Sequence, residues 1–170
     1  LAITFDTSPF QIGNADGDAS LTLQSGSSLI LNTTSGSSLG RIEIGNGGTG
    51  ALTLAGGTIQ VNLADTSTTP GTSIGRIWVG GGSTNTTGGT GTLTITSGEL
   101  LYSANAGSLN YGGLAVGRGG GVTGTVNQSG GTVRFDSAGA LDLGTQGGTG
   151  SYTLSGDAVF DAGSGGLTAY

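Results

Sequence analysis

The chain contains no cysteine, histidine, methionine or lysine among its 170 residues. Without cysteine it can form no disulfide and offers no thiolate as a nucleophile or metal ligand. Without histidine it lacks the side chain that proteins use most often for acid–base catalysis and for binding transition metals. We therefore predict that the protein is not an enzyme and binds no cofactor.

Charge is also scarce. Charged side chains make up 8% of the residues, and the formal net charge is −6. The only cationic side chains are four arginines, which are too few to neutralise a long run of phosphates. No segment approaches the roughly 20 consecutive apolar residues of a membrane-spanning helix. We therefore predict that the protein neither binds nucleic acid nor inserts into a membrane.

The ten acidic residues are scattered along the chain. Glu43 and Asp142 share the same predicted strand position, but roughly three strand spacings of about 4.8 Å separate them. This distance exceeds the roughly 5–9.5 Å between the two catalytic carboxylates of glycoside hydrolases. The sequence therefore predicts no catalytic carboxylate pair and no catalytic residue of any kind.

Glycine, by contrast, is abundant, with 39 residues. Residues 40–61, GRIEIGNGGTGALTLAGGTIQV, contain three short apolar strands joined by glycine-rich corners, and similar stretches recur along the chain. One glycine marks the same place in each repeat: Gly13, Gly45, Gly80, Gly117 and Gly144. The spacing runs from 27 residues (117 to 144) to 37 residues (80 to 117), which is a period typical of solenoid repeats.

Each repeat contains three strands in which apolar and polar residues alternate, as in half-buried β-strands. Type A strands are residues 21–23, 52–54, 93–95, 126–128 and 152–154. Type B strands carry Leu29/Leu31, Ile59/Val61, Leu100/Tyr102, Val133/Phe135 and Val159. Type C strands carry Ile42/Ile44, Ile77/Val79, Leu114/Val116, Leu141/Leu143 and Leu167/Ala169.

This order predicts an all-β fold, a parallel β-solenoid (β-helix) of about five three-strand coils with glycine-rich corners. Successive coils would stack about 4.8 Å apart, with aliphatic residues inside and threonines outside. The alternative is an antiparallel β-sandwich, which also suits frequent turns. We favour the solenoid, as a single domain over residues 1–170, because a sandwich does not require the same strand order to repeat.

The two ends of the chain resemble internal strands, residues 1–6 a type B strand and residues 166–170 a type C strand. Neither end offers an amphipathic helix or a charged cap, so we expect both ends to be uncapped. Unpaired strand edges are templates for further pairing. We therefore predict head-to-tail assembly into a homopolymer, through an interface formed by Leu1, Ile3, Phe5, Val159, Leu167, Ala169 and Tyr170.

A weak candidate for a calcium site is Asn14, Asp16 and Asp18, whose oxygen-bearing side chains alternate along the chain as in a calcium loop. Gln24 and Ser25 stand where the glutamate that completes such a loop would be expected. Asn and Asp are also common at glycine turns for purely structural reasons. We therefore predict no metal here.

Trp78, the single tryptophan, occupies the outward position of a type C strand. A large outward-facing aromatic side chain usually packs on something. It could pack under residues 62–73, form a lateral contact between subunits, or stack on a glycan. Arg41 and Arg76 precede type C strands in successive repeats, so we expect a carboxylate such as Glu43 or Asp65 to lie between their like charges.

The stretches GGTGALTLAGGTIQV, GGTGTLTITSGEL and GVTGTVNQSGGTVRF resemble the autotransporter-associated β-strand repeats, the passenger-associated repeats of large bacterial surface proteins. The resemblance covers residues 10–160 and implies a β-solenoid stalk with a structural or display role outside the cell. Members of that family carry a C-terminal membrane barrel, which we do not expect within these 170 residues.

Two functions follow from these observations. The first is a non-enzymatic structural subunit that stacks end to end by β-strand addition into a fibre or surface layer. The second is the stalk of an adhesin, which would display its loops and Trp78 to glycans or partner proteins. The first residue, Leu1, suggests either that a signal peptide has been removed or that the chain is a fragment, and we favour the first. We therefore expect a secreted protein, extracellular or at the cell surface.

Overall fold

The fold is known from a computed structural model, which describes residues 2–5, 9–15, 17–33, 40–63, 75–82, 88–104, 113–136, 139–163 and 166–169. These residues form β-strands and contain no α-helix. The strands are β1 (Ala2–Phe5), β2 (Pro9–Asn14), β3 (Ala19–Gln24), β4 (Ser28–Thr33), β5 (Arg41–Asn46), β6 (Thr49–Leu63), β7 (Arg76–Gly81), β8 (Thr90–Ala104), β9 (Gly113–Arg118), β10 (Thr123–Gln128), β11 (Thr132–Phe135), β12 (Ala140–Leu143), β13 (Thr149–Leu154), β14 (Val159–Asp161) and β15 (Gly166–Ala169).

The strands form two sheets in which every pair of neighbouring strands is parallel. The first sheet follows the order β1-β4-β6-β8-β10-β13, with β3 on β6, β11 on β8 and β14 on β11. The second sheet follows the order β15-β12-β9-β7-β5-β2. The predicted all-β, parallel architecture is thus confirmed, and the antiparallel sandwich is wrong for the described strands.

Equivalent residues of successive repeats lie opposite each other, so they form columns across each sheet. One type A column runs through Leu21, Leu52, Leu93, Val126 and Tyr152. A type C column runs through Phe10, Ile42, Ile77, Leu114, Leu141 and Leu167. The side chains of both sheets meet in one hydrophobic core. Burial of these apolar columns is the main favourable term in the stability of such a fold.

The last type B strand differs from the prediction by one residue. Phe160, not Val159, lies opposite Val133 and packs against the core, while Val159 lies opposite Thr132. The sequence reads Ala158-Val159-Phe160, a continuous apolar run in which alternation cannot identify the inward residue. The expected place of Val159 in the inward column is therefore wrong.

The marker glycines allow neighbouring backbones to approach closely. Gly80 has a φ of 72°, and a Cβ atom added there would lie 2.3 Å from the carbonyl oxygen of Thr123. Gly13, Gly45 and Gly117 meet a threonine carbonyl in the same way, at 2.0–2.2 Å. At these four corners a side chain is excluded both by the left-handed backbone and by the neighbouring strand.

This close approach predicts a difference between two glycine-to-alanine variants. Gly80→Ala should lower the free energy of unfolding by well over the roughly 1–2 kcal/mol that a left-handed backbone costs an alanine. Gly88→Ala is the control, because Gly88 has a φ of 84° and its added Cβ would meet nothing within 4 Å. Denaturant unfolding of both variants measures the difference, and equal losses would show that the contact with Thr123 is unimportant.

Candidate functional site

The clearest surface feature is an apolar concavity at the end of the fold that carries β13 and β14. It has a volume of about 210 Å³ and is lined by Leu141, Leu143, Tyr152, Leu154 and Phe160. Leu154 is 51% exposed, although its counterparts Leu23 and Leu54 in the same column are buried. An open apolar surface of this kind usually marks a binding surface.

A row of aromatic rings leads from the core to this concavity. Tyr102 meets Phe135 edge to face at 5.8 Å between ring centroids, and Phe135 meets Phe160 at 5.6 Å. Phe160 then meets Tyr152 at 5.5 Å in the wall of the concavity. Because edge-to-face contacts fix the relative orientation of rings, the row holds the concavity in a defined shape.

Gln128 is the one polar side chain in the buried column that also contains Ile95 and Leu154. It is 1% exposed, and its amide nitrogen donates to the carbonyl oxygens of Val159 (2.9 Å) and Gly131 (3.1 Å). Its amide oxygen accepts a hydrogen bond from the Tyr152 hydroxyl at 2.5 Å. The side chain is therefore well satisfied, and it fastens β10 to both β13 and β14.

The predicted interface residues are only partly described. Ile3 packs against the core from β1, and Val159 is 51% exposed on β14. Phe5 lies on β1, and Leu167 and Ala169 lie on β15, at the register positions that the type B and type C patterns predict. Leu1 and Tyr170 lie outside the described residues. The sequence analysis assigned none of the five lining residues to a site, although type A and type C alternation already placed Leu141, Leu143, Tyr152 and Leu154 inward.

Trp78 is the centre of a second feature, on the outer face of the second sheet. As predicted, it shares its outward column with Glu43 and Ala115. However, it is 0% exposed. The guanidinium carbons of Arg118 and Arg41 lie 5.0 and 5.6 Å from its ring centroid. A lateral or glycan contact requires an exposed ring, so these two roles for Trp78 are not supported. Most of residues 62–73, the predicted cover, lie outside the described residues.

Charged side chains surround Trp78 on this face. Glu43 is 0% exposed and accepts hydrogen bonds from Arg41, from Gln11 (2.7 Å) and from Asn46 (2.7 Å). The carboxylate expected beside Arg41 is thus Glu43, whereas Asp65 lies outside the described residues. Buried charges require such partners because desolvation is costly.

Arg76 and Arg118 lie near a second carboxylate, that of Asp142. Arg76 Nη1 is 3.5 Å from Asp142 Oδ2. Burial lowers the pKa of Arg76, and Asp142 opposes this shift. Burial also lowers the pKa of Arg118, again against the effect of Asp142. Desolvation therefore offsets part of the electrostatic attraction between Asp142 and the two arginines.

The calcium candidates have structural roles where they are described. Asn14 ends β2, and its carbonyl oxygen accepts the N–H of Gly17 at 3.0 Å. A carboxylate oxygen of Asp18 accepts the N–H of Thr49 at 2.9 Å. Asp16 lies outside the described residues. Elsewhere in the described ranges, no group of three or more acidic side chains is placed to hold a metal ion.

Comparisons with known proteins identify no relative: no family model, no curated protein and no solved structure matches this chain. The resemblance to autotransporter-associated repeats therefore stays a prediction. The described strands and turns include no helix with the length and apolar character needed to span a membrane.

A substitution at Tyr102 tests how a buried hydroxyl group affects the stability of the core. The Tyr102 hydroxyl is buried and has no hydrogen-bond partner among the described residues, and burial raises the pKa of Tyr102 above its ordinary value near 10. Tyr102→Phe should therefore increase the free energy of unfolding by about 1 kcal/mol at pH 7, since an unpaired buried polar group is removed. Because the folded pKa is raised, wild-type stability should fall as the pH rises above about 10, and the variant should lose less.

The matched control is Tyr152→Phe, which removes a hydroxyl that donates to Gln128. This variant should lose about 1 kcal/mol at pH 7, because the Gln128 oxygen is left without its donor. Both values come from denaturant unfolding at pH 7 and at pH 10–11. If both substitutions changed stability in the same direction, the distinction drawn between the two hydroxyls would be wrong.

Glu43→Gln tests the buried charges beside Trp78. The substitution removes the Glu43 carboxylate from its ion pair with Arg41, whose side chain is 9% exposed. Loss of one partner of a buried ion pair costs roughly 3–5 kcal/mol, so we expect a decrease of about 3 kcal/mol in the free energy of unfolding. Asp136→Asn is the control, because its ion pair with Arg134 is exposed to solvent and should contribute little. Comparable losses would contradict a special role for Glu43.

Proposed function

We propose that the protein is a non-enzymatic structural subunit that stacks end to end by β-strand addition. The observation that carries this proposal is the open apolar concavity beside β13 and β14, whose lining residue Leu154 is 51% exposed. The strands at the end of a second copy of the chain would cover this apolar surface. Strand addition would contribute main-chain hydrogen bonds, and the apolar columns would contribute burial.

We also propose that the two sheets wind into about five coils of three strands, one of each type per coil. Support comes from β6 and β8, each of which runs through a type A segment and then a type B segment. Residues 50–54 of β6 pair with β3, and its residues 58–63 pair with β4. Type C strands then pair only with one another, in the second sheet.

In the proposed junction, β1 of one copy lies beside β14 of the next, and β2 lies beside β15. The type B column then continues from Phe160 to Ile3, since these residues end the column that passes through Leu29, Ile59, Leu100 and Val133. The facing outward residues Asp161 and Thr4 carry no like charges. A junction between two β14 ends would instead bring Asp157 and Asp161 close to their own copies, which like-charge repulsion disfavours.

We propose an extracellular or cell-surface location for the assembled fibre or layer. The proposal is supported by the sequence alone, through its low lysine content, its acidity and its resemblance to autotransporter-associated repeats. The partner is a second copy of the chain.

Leu154→Glu tests the stacking. The substitution should leave the fold of one copy intact, because Leu154 is 51% exposed. It should weaken self-association by about tenfold or more, because an unpaired charge would be buried at the junction. Sedimentation across a range of concentrations gives the association constant, and negative-stain electron microscopy distinguishes fibres from single particles.

The matched control is Asn127→Glu, which adds the same charge at an exposed, outward position of β10. It should assemble like the wild type. A wild-type chain that stays monomeric at the highest attainable concentration would overturn the proposal, as would equal assembly of Leu154→Glu and the wild type.

A further inference from the structure

One arginine on the outer face of the second sheet differs from the other arginines of the chain. Arg41, Arg76 and Arg134 each form an ion pair with a carboxylate. Among the described residues, the side chain of Arg118 forms no ion pair and no hydrogen bond, and its close partner is the Trp78 ring, whose centroid lies 5.0 Å from its guanidinium carbon. Arg118 is half-buried, so part of its guanidinium still faces water. Its side-chain donors are therefore open to a ligand from solvent.

The two carboxylates nearest to Arg118 on this face already bind other side chains. Glu43 accepts hydrogen bonds from three side chains, one of which is that of Arg41. Asp142 forms its ion pair with Arg76, at 3.5 Å. Asp142 also attracts Arg118, but burial outweighs this effect and lowers the pKa of Arg118. The Arg118 guanidinium is thus partly removed from water without a carboxylate bonded to it, which is an unfavourable state for a charged group.

The indole nitrogen of Trp78 is a second donor without an acceptor in the described part of the chain. Nε1 is buried and makes no hydrogen bond, and the whole residue is 0% exposed. Buried N–H groups without an acceptor are uncommon in native proteins. Because the Arg118 guanidinium lies over the same ring, a small ligand with two acceptor oxygens can reach both donors.

We propose that Arg118 and the Nε1 of Trp78 together bind a small carboxylate ion on the outer face of the second sheet. The guanidinium donates to the carboxylate oxygens through its planar fork of N–H groups, and Nε1 donates to one of them. A singly charged carboxylate fits better than sulfate or phosphate, because the negative charge of Asp142 acts on this place and repels a dianion more strongly. One charged and one neutral donor correspond to a modest affinity, with a Kd of roughly 1 mM.

This site does not depend on how copies of the chain stack. Trp78 lies on β7 and Arg118 on β9, and these two strands are neighbours in the interior of the second sheet. The partners of the proposed carboxylate therefore all belong to a single copy.

The probe is sodium acetate, and the indole N–H of Trp78 is the reporter. Trp78 is the single tryptophan of the chain, so its indole group gives one resonance in a ¹H–¹⁵N spectrum. Acetate is titrated against chloride at constant ionic strength, because salt screens interactions between charges. We expect a downfield shift of the indole proton that saturates with acetate concentration. Sulfate at the same ionic strength should bind more weakly.

Three variants test the role of each charge. Arg118→Gln removes the charged fork and should weaken acetate binding by about tenfold or more. Arg134→Gln is the matched control, because it removes the same charge from an exposed ion pair with Asp136, and it should bind acetate like the wild type. Asp142→Asn should strengthen acetate binding by about threefold to tenfold, since a nearby negative charge is removed. A role for Arg118 limited to packing on Trp78 would not produce this increase.

The spread of the amide resonances shows whether each variant is folded. If Asp142→Asn does not fold, the comparison of Arg118→Gln with Arg134→Gln decides the proposal. A shift that does not saturate, or that is the same in Arg118→Gln as in the wild type, would overturn it. Tighter binding of sulfate than of acetate would overturn the assignment to a carboxylate.

Discussion

The structure depends on how closely the backbones of successive repeats approach each other at the marker glycines. At Gly80 the neighbouring carbonyl of Thr123 occupies the space that a Cβ atom would need, and Gly45 and Gly117 are packed in the same way. Because no side chain intrudes at these corners, successive strands can keep the hydrogen-bonded spacing of about 4.8 Å. In-register aliphatic columns can then form, and a long, thin core is buried by a chain in which charged residues make up only 8%.

The outer faces of the two sheets carry different kinds of side chain. The outer face of the first sheet carries small hydroxyl residues and is exposed at Thr22 and Thr153. The outer face of the second sheet holds three of the four arginines together with Trp78 and Glu43, and strand β5 is buried along its whole length. Parallel sheets are commonly buried on both faces, and here one face is apolar while the other is a network of paired charges.

Much of the fold follows from the sequence, because alternation and glycine spacing act locally. The columns through Leu52 and Ile77 were predicted in register, as was the outward place of Trp78. The burial of Trp78 could not be predicted, because Arg41 and Arg118 reach it from strands about 40 residues away on either side in the sequence. Val159 was misplaced because a continuous apolar run has no alternation. The concavity was not predicted, because the exposure of its lining residues depends on which other parts of the chain cover that end of the core.

Gln128 has a consequence for how such a protein can evolve. An aliphatic residue at this place, as in Ile95, would let any repeat follow any other. The Gln128 amide oxygen instead accepts a hydrogen bond from the Tyr152 hydroxyl, so the layer containing β10 favours a neighbour with a side-chain donor at this place. Loss or replacement of the repeat that carries Tyr152 would leave the buried Gln128 oxygen without this donor, whereas an aliphatic residue at the same place, as in Ile95, carries no such requirement.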